Sequence, residues 1–142
     1  MGQKAGLHSL MPSYHITSPK TPDYNCVAWA AEEDFRWWEP DPQGTYYWPS
    51  DAPRTYTIDA LVKAFLCLDY EICGDYKKEA GYKKVAIFAD RMDRPTHAAR
   101  QLDNGQWTSK LGKNVDIEHA LDALENLVPE YGQVRFILRK PT

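Results

Sequence analysis

The sequence predicts an α+β fold: N-terminal helices, a cysteine-bearing one first, packed on a mainly antiparallel sheet of about four strands. Three observations predict it. DYNCVAWAAEE from Asp23 is helical in composition. Ile58, Leu61, Val62, Phe65 and Leu68 recur at the three-and-four spacing of an amphipathic helix. The second half alternates β-prone runs with turn signals, above all VAIFA at 85–89 and Asp103-Asn104-Gly105. With 142 residues and 43% hydrophobic side chains, the chain supports one well-buried core. The expected organisation is an N-terminal arm over residues 1–22, rich in Gly and Pro and without apolar period, followed by a single domain over 23–142.

Taken in order, Asp23 is the expected N-cap of the first helix, with Cys26 in its first turn. Cys26 to Ala31 leave no polar face, so this helix must be covered nearly all round. The next stretch concentrates Trp37, Trp38, Tyr46, Tyr47 and Trp48 among prolines and keeps neither helical nor strand period, which predicts an irregular aromatic loop over 35–49. VAIFA reads as a strand buried on both faces. THAARQL and QWTSKL flank Asn104-Gly105 as an antiparallel hairpin. Asp116 is expected to cap a helix carrying Ile117, Ala120, Leu121 and Leu124, and QVRFILRK after Gly132 to form a last, half-exposed strand.

The 17 basic and 20 acidic residues give a net charge of −3, which provides no basic field for nucleic acid or anionic membrane. No run of about 18 apolar residues is present, nor an apolar signal core near the start, so the expected location is the cytoplasm. There, three cysteines are thiols rather than a disulfide framework. Cys67 and Cys73 have five residues between them, outside zinc-knuckle spacing, so no metal and no cofactor is expected.

Cys26 and His97 carry the candidate chemistry. A thiol attacks as its thiolate, which a helix start favours, and an imidazole at the start of a strand, beside the small Ala98 and Ala99, can take its proton. The plain alternative is a small buried cysteine and a structural histidine. Ser109 and Lys110 on the strand after His97, Gln101 two positions from His97 on its own strand, and Asp116 are candidates to orient the imidazole, and Asn25 is a candidate oxyanion donor. Register decides among them. A two-residue Asn-Gly turn pairs Arg100 with Ser109 and puts Lys110 on the His97 face, whereas a three-residue loop puts Ser109 there. His119, opposite an apolar stripe, is expected to be exposed. Trp37, Trp38, Tyr47 and Trp48 are candidate substrate-binding residues, equally readable as a satellite core over the Cys26 helix.

A cysteine-bearing helix followed by an antiparallel sheet whose second strand begins with histidine resembles the papain-like cysteine peptidase superfamily, particularly its compact peptidoglycan-cleaving branch. That resemblance implies a thiol hydrolase whose third catalytic residue stands about a dozen positions after the histidine, which by count is Ser109, twelve after His97. It also implies an oxyanion-completing glutamine before the cysteine, where this chain has Pro19-Lys20. Asp23-Tyr24-Asn25-Cys26 is similar to the Asp-Gly-Asn-Cys start of ovarian-tumour-type deubiquitinases, with Tyr24 in place of the glycine. YNCVAWA, YYWP, THAARQL and WTSKLG resemble segments of a family of small, uncharacterised bacterial proteins over roughly residues 23–140.

Two function classes follow. The first is a cysteine hydrolase or acyl transferase working on an amide or peptide through Cys26 and His97. The second is a non-catalytic protein-interaction or ligand-binding domain on the same scaffold, using the aromatic loop 35–49. Either takes a peptide or protein as substrate or partner.

Overall fold

VAIFA occupies the middle of the protein because nothing in it tolerates water. In the computed structural model, which describes residues 14–18, 21–111, 115–127 and 129–142, it forms most of a strand whose residues 84–89 are all buried. The elements run β1 (Tyr14–Ser18), α1 (Cys26–Ala30), α2 (Ile58–Leu66), β2 (Glu71–Cys73), β3 (Tyr82–Ala89), β4 (Pro95–Gln101), β5 (Trp107–Lys110), β6 (Asp116–His119), α3 (Leu121–Leu127), a 3-10 turn (Pro129–Tyr131) and β7 (Gln133–Pro141). The strands form one seven-stranded sheet in the order β1-β6-β5-β4-β3-β7-β2, and every neighbouring pair is antiparallel.

This architecture corrects the expected one. The fold is an extensive antiparallel sheet with a few short helices against it, not helices packed on about four strands in a papain-like layout. Three strands escaped the sequence reading. Residues 14–18, inside the expected arm, pair with β6; the rest of that arm, including Pro19 and Lys20, lies outside the described residues. Glu71–Cys73 is too short to show a period, yet it pairs with β7. DIEH extends backwards the apolar spacing of the helix after it, so it reads as helix, but it pairs with β5 on one side and β1 on the other. β7, the expected last strand, lies between β3 and β2.

Alternating side chains give the sheet two cores. Val85, Ile87, Ala98 and Leu138 pack with Ala28 and Ala30 of α1, with α2, and with Trp38 and Trp48 of the aromatic loop. Ala86, Phe88, Ala99, Trp107, Ile117 and Ile137 pack with Leu121, Ala123 and Leu124 of α3. α2 begins at a Thr57 cap and buries Leu61, Val62 and Phe65. α1 is capped by Asn25 rather than Asp23: the Asn25 side chain accepts the Ala28 N–H at 3.2 Å. Gly132, at φ +72°, brings the 3-10 turn against β3, where any Cβ would collide with the Ala89 carbonyl.

Candidate functional site

The β4–β5 hairpin settles the register left open by the sequence. Arg100 pairs with Thr108 and Gln101 with Trp107. Leu102 and Gln106 close a loop of Asp103, Asn104 and Gly105, with the Leu102 N–H donating to Gln106 and Gly105 at φ +88°. The extra loop residue puts Ser109, not Lys110, on the face of His97. Ser109 Oγ lies 2.9 Å from His97 Nε2 and 2.7 Å from His119 Nε2. All three residues are buried.

The proton positions follow from one carbonyl. His119 Nδ1 is 2.7 Å from the Ala120 oxygen, which can only accept, so Nδ1 carries the proton. Burial holds the His119 pKa below its usual value, so the ring is neutral and its Nε2 accepts the Ser109 hydroxyl proton. Ser109 Oγ then accepts from His97 Nε2–H. His97 is itself held neutral, its pKa driven well down by burial and secondarily by His119. Its Nδ1 is therefore a bare lone pair, buried and without a hydrogen-bond partner. Tyr131 stacks on the imidazole at 4.2 Å and 9°, Phe88 meets it edge-on at 5.4 Å, and Thr96 Oγ1 donates to the Tyr131 carbonyl. Among these packing partners, Tyr131 has no period in the sequence to announce it.

Cys26 is the first residue of α1 and keeps some exposure. Protein surrounds its sulfur, and burial pushes the thiol pKa up; the Ala98 N–H opposes this most, then the N–H groups of Val27 and Cys26 and the charge of Lys110. A five-residue helix has little macrodipole, so individual N–H groups rather than the helix as a whole stabilise a thiolate here. Cys26 and His97 both line one cavity of about 260 Å³, walled by Trp38, Trp48, Tyr56 and Leu61 among others. They do not share a face. α1 lies against the Ala98 side of β4, whereas the His97 ring stands with Phe88 and Ser109, and no hydrogen bond joins sulfur to imidazole. The thiol meets β4 at its opening residues, through the Ala98 peptide beside His97.

The other candidates separate. The Asn25 carboxamide accepts from the Ala28 and Trp38 N–H groups and donates to the Trp38 carbonyl at 2.6 Å, work that belongs to the cap and not to an oxyanion. Gln101 donates to the Tyr76 and Gly105 carbonyls, and no hydrogen bond links it to His97. Lys110 and Asp116 occupy the α1 side: Lys110 Nζ donates to the Thr21 carbonyl at 2.6 Å, and Asp116 accepts from Tyr24 OH at 2.6 Å. Trp38 and Trp48 are cavity walls buried in the core, while Trp37 and Tyr47 are not in the lining; Tyr56, absent from the expected set, is. His119 is 1% exposed, against the expectation, because it stands on a strand and not on the outer face of a helix. Among the described residues, no group of three or more His, Cys, Asp or Glu side chains is placed to hold a metal ion.

Fold and site define an antiparallel-sheet domain in which Cys26 and a relay-bound His97 border one cavity. Residues 15–139 match the family described as a domain of unknown function (DUF7689), and the chain belongs to that family. No curated protein and no solved structure matches it. Among the described residues, no helix is long and apolar enough to cross a membrane.

Proposed function

We propose that the protein is a cysteine hydrolase or acyl transferase acting on an amide or peptide, with Cys26 as nucleophile, His97 as base and then acid, and Ser109 orienting the imidazole. The observation that carries this reading is the bare Nδ1 of His97: a chain of buried hydrogen bonds fixes the proton on Nε2 and leaves a base in a residue that shares a cavity with the thiol. Sγ gives its proton to Nδ1 and attacks the acyl carbon. The tetrahedral intermediate collapses to a thioester, and His97 returns the proton to the leaving amine. Water, or an acceptor amine in a transferase, then releases the acyl group and restores the thiol. The N–H groups of Ala98, Val27 and Cys26 stabilise negative charge on the sulfur. Because the two rest neutral and are not bonded to each other, the proton moves once substrate binding has brought Sγ and Nδ1 into contact. The proposed setting is the cytoplasm, where Cys26, Cys67 and Cys73 stay reduced.

The separation of thiol and imidazole onto two faces favours a second reading, a binding domain whose aromatic-walled cavity holds a peptide without chemistry. Release of p-nitrophenol from p-nitrophenyl acetate separates the two. The hydrolase reading expects turnover that Cys26→Ala abolishes and His97→Ala slows by about 10²-fold or more. Equal rates in all three proteins support the binding domain.

A further inference from the structure

We infer that the Cys26 cavity selects a substrate bearing an ammonium or guanidinium group close to its scissile amide, with Glu39 as the recognition residue. This rests on the cavity being the substrate site. Its lining contains no lysine or arginine, and Glu39 is its one formally charged carboxylate. That carboxylate accepts only neutral donors, Trp37 Nε1 at 3.0 Å and Tyr56 OH at 2.5 Å, and no cation pairs with it among the described residues. The neighbouring acids differ: Glu33 is paired with Arg36, and Asp41 with Arg54. Glu39 thus leaves a net negative charge beside aromatic walls, where a cation gains both from the carboxylate and from ring quadrupoles.

A second observation points to a missing ligand independently. Trp48, 4% exposed, belongs to the same lining, and its Nε1–H is buried with no acceptor. A buried donor left unmade is costly, and a substrate carbonyl can satisfy it. A buried donor without an acceptor and a carboxylate without a cation in one lining match an amide with a cationic side chain nearby, such as a lysine- or arginine-containing peptide.

The test is calorimetric binding of three acetylated, amidated tripeptides, Ala-Lys-Ala, Ala-Arg-Ala and Ala-norleucine-Ala, to the full chain and to its Cys26→Ala variant. Both cationic peptides should bind about fivefold or more tighter than the norleucine peptide. Glu39→Gln should remove that preference, bringing both cationic peptides to the affinity of the norleucine peptide in the same variant. If Glu39→Gln fails to fold, salt dependence in the unsubstituted protein decides: only the cationic peptides should weaken as salt rises. Equal affinity for all three, a preference that survives Glu39→Gln or high salt, or no binding at the highest soluble concentration overturns the inference. Cation-selective binding without turnover upholds this subsite and rejects the hydrolase; turnover without selectivity does the reverse.

Discussion

Ser109 has one proton to donate, and where it goes decides what His97 can do. The Ala120 carbonyl fixes His119, His119 takes the serine proton, and the serine oxygen takes the proton of His97 Nε2. Nitrogen-15 NMR of the protein at neutral pH should show a protonated Nε2 and an unprotonated Nδ1 for His97, and the opposite assignment for His119. Ser109→Ala removes the only acceptor of a buried N–H, so His97 should lose its single tautomer and the fold should lose about 1–3 kcal/mol, read from urea midpoints. Retention of the Nε2–H tautomer in that variant would show that packing against Tyr131 and Phe88, not the relay, holds the ring. Ser109 was legible only through the papain-like resemblance, whose third residue stands about a dozen positions after the histidine. His119 was not, because EHALDALENL continues one helical period across a strand end, and single-sequence periodicity cannot see where pairing with β5 and β1 takes over.

At the scale of elements, one loop residue sets the site. With Asp103, Asn104 and Gly105 in the turn, Ser109 faces His97; a two-residue turn would shift β5 by one and turn its side chains over. Deleting Asn104 should therefore break the His97–Ser109 bond while sparing the apolar β3 core, seen as loss of the His97 tautomer signature in a protein that still melts cooperatively. The α1 cap is a second lever. Asn25 satisfies Ala28 and clasps the Trp38 backbone, so Asn25→Ala should cost about 1–2 kcal/mol and loosen the aromatic loop, measured by thermal melting and Trp fluorescence. Strands β3, β4, β5 and β7 and helix α2 were readable from apolar pattern and turn chemistry. The cap residue was not, since Asp23 and Asn25 are both good caps by type and only the backbone geometry separates them.

For the whole molecule, the two-faced sheet explains both what holds the site and what titrates it. A layer of helices and loop on one side and α3 on the other bury β3 and its neighbours, and in that interior His97 and His119 stay neutral. Both have folded pKa values below their ordinary 6.5, so below that pH the unfolded chain binds more protons than the folded one. Stability is fully present above about pH 6.5 and should fall on acidification at up to about 1.4 kcal/mol per pH unit for each histidine. Cys26, whose pKa is raised, works with the other sign: its contribution is full below the ordinary thiol pKa and is lost as pH rises through the folded value. Urea midpoints at pH 7, 6 and 5 should decline in the unsubstituted protein and decline less in His119→Gln. Strand number was the least legible property. Tyr14–Ser18 and Glu71–Cys73 gain strand structure from partners distant in sequence, β6 and β7, and carry too little local pattern to declare it.

The central claim is that His97 takes the Cys26 proton, and the pH profile of Cys26 acylation by p-nitrophenyl acetate, with the adduct located by peptide mass spectrometry, tests it most directly. A neutral thiol that passes its proton to a neutral buried base during the reaction reacts at a constant rate between the lowered imidazole pKa and the raised thiol pKa. The profile should therefore be flat through pH 6.5–8, whereas His97→Ala should rise about tenfold per pH unit with the thiolate fraction. Superimposable profiles for the two proteins, or a Cys26 that stays unmodified throughout, would contradict it.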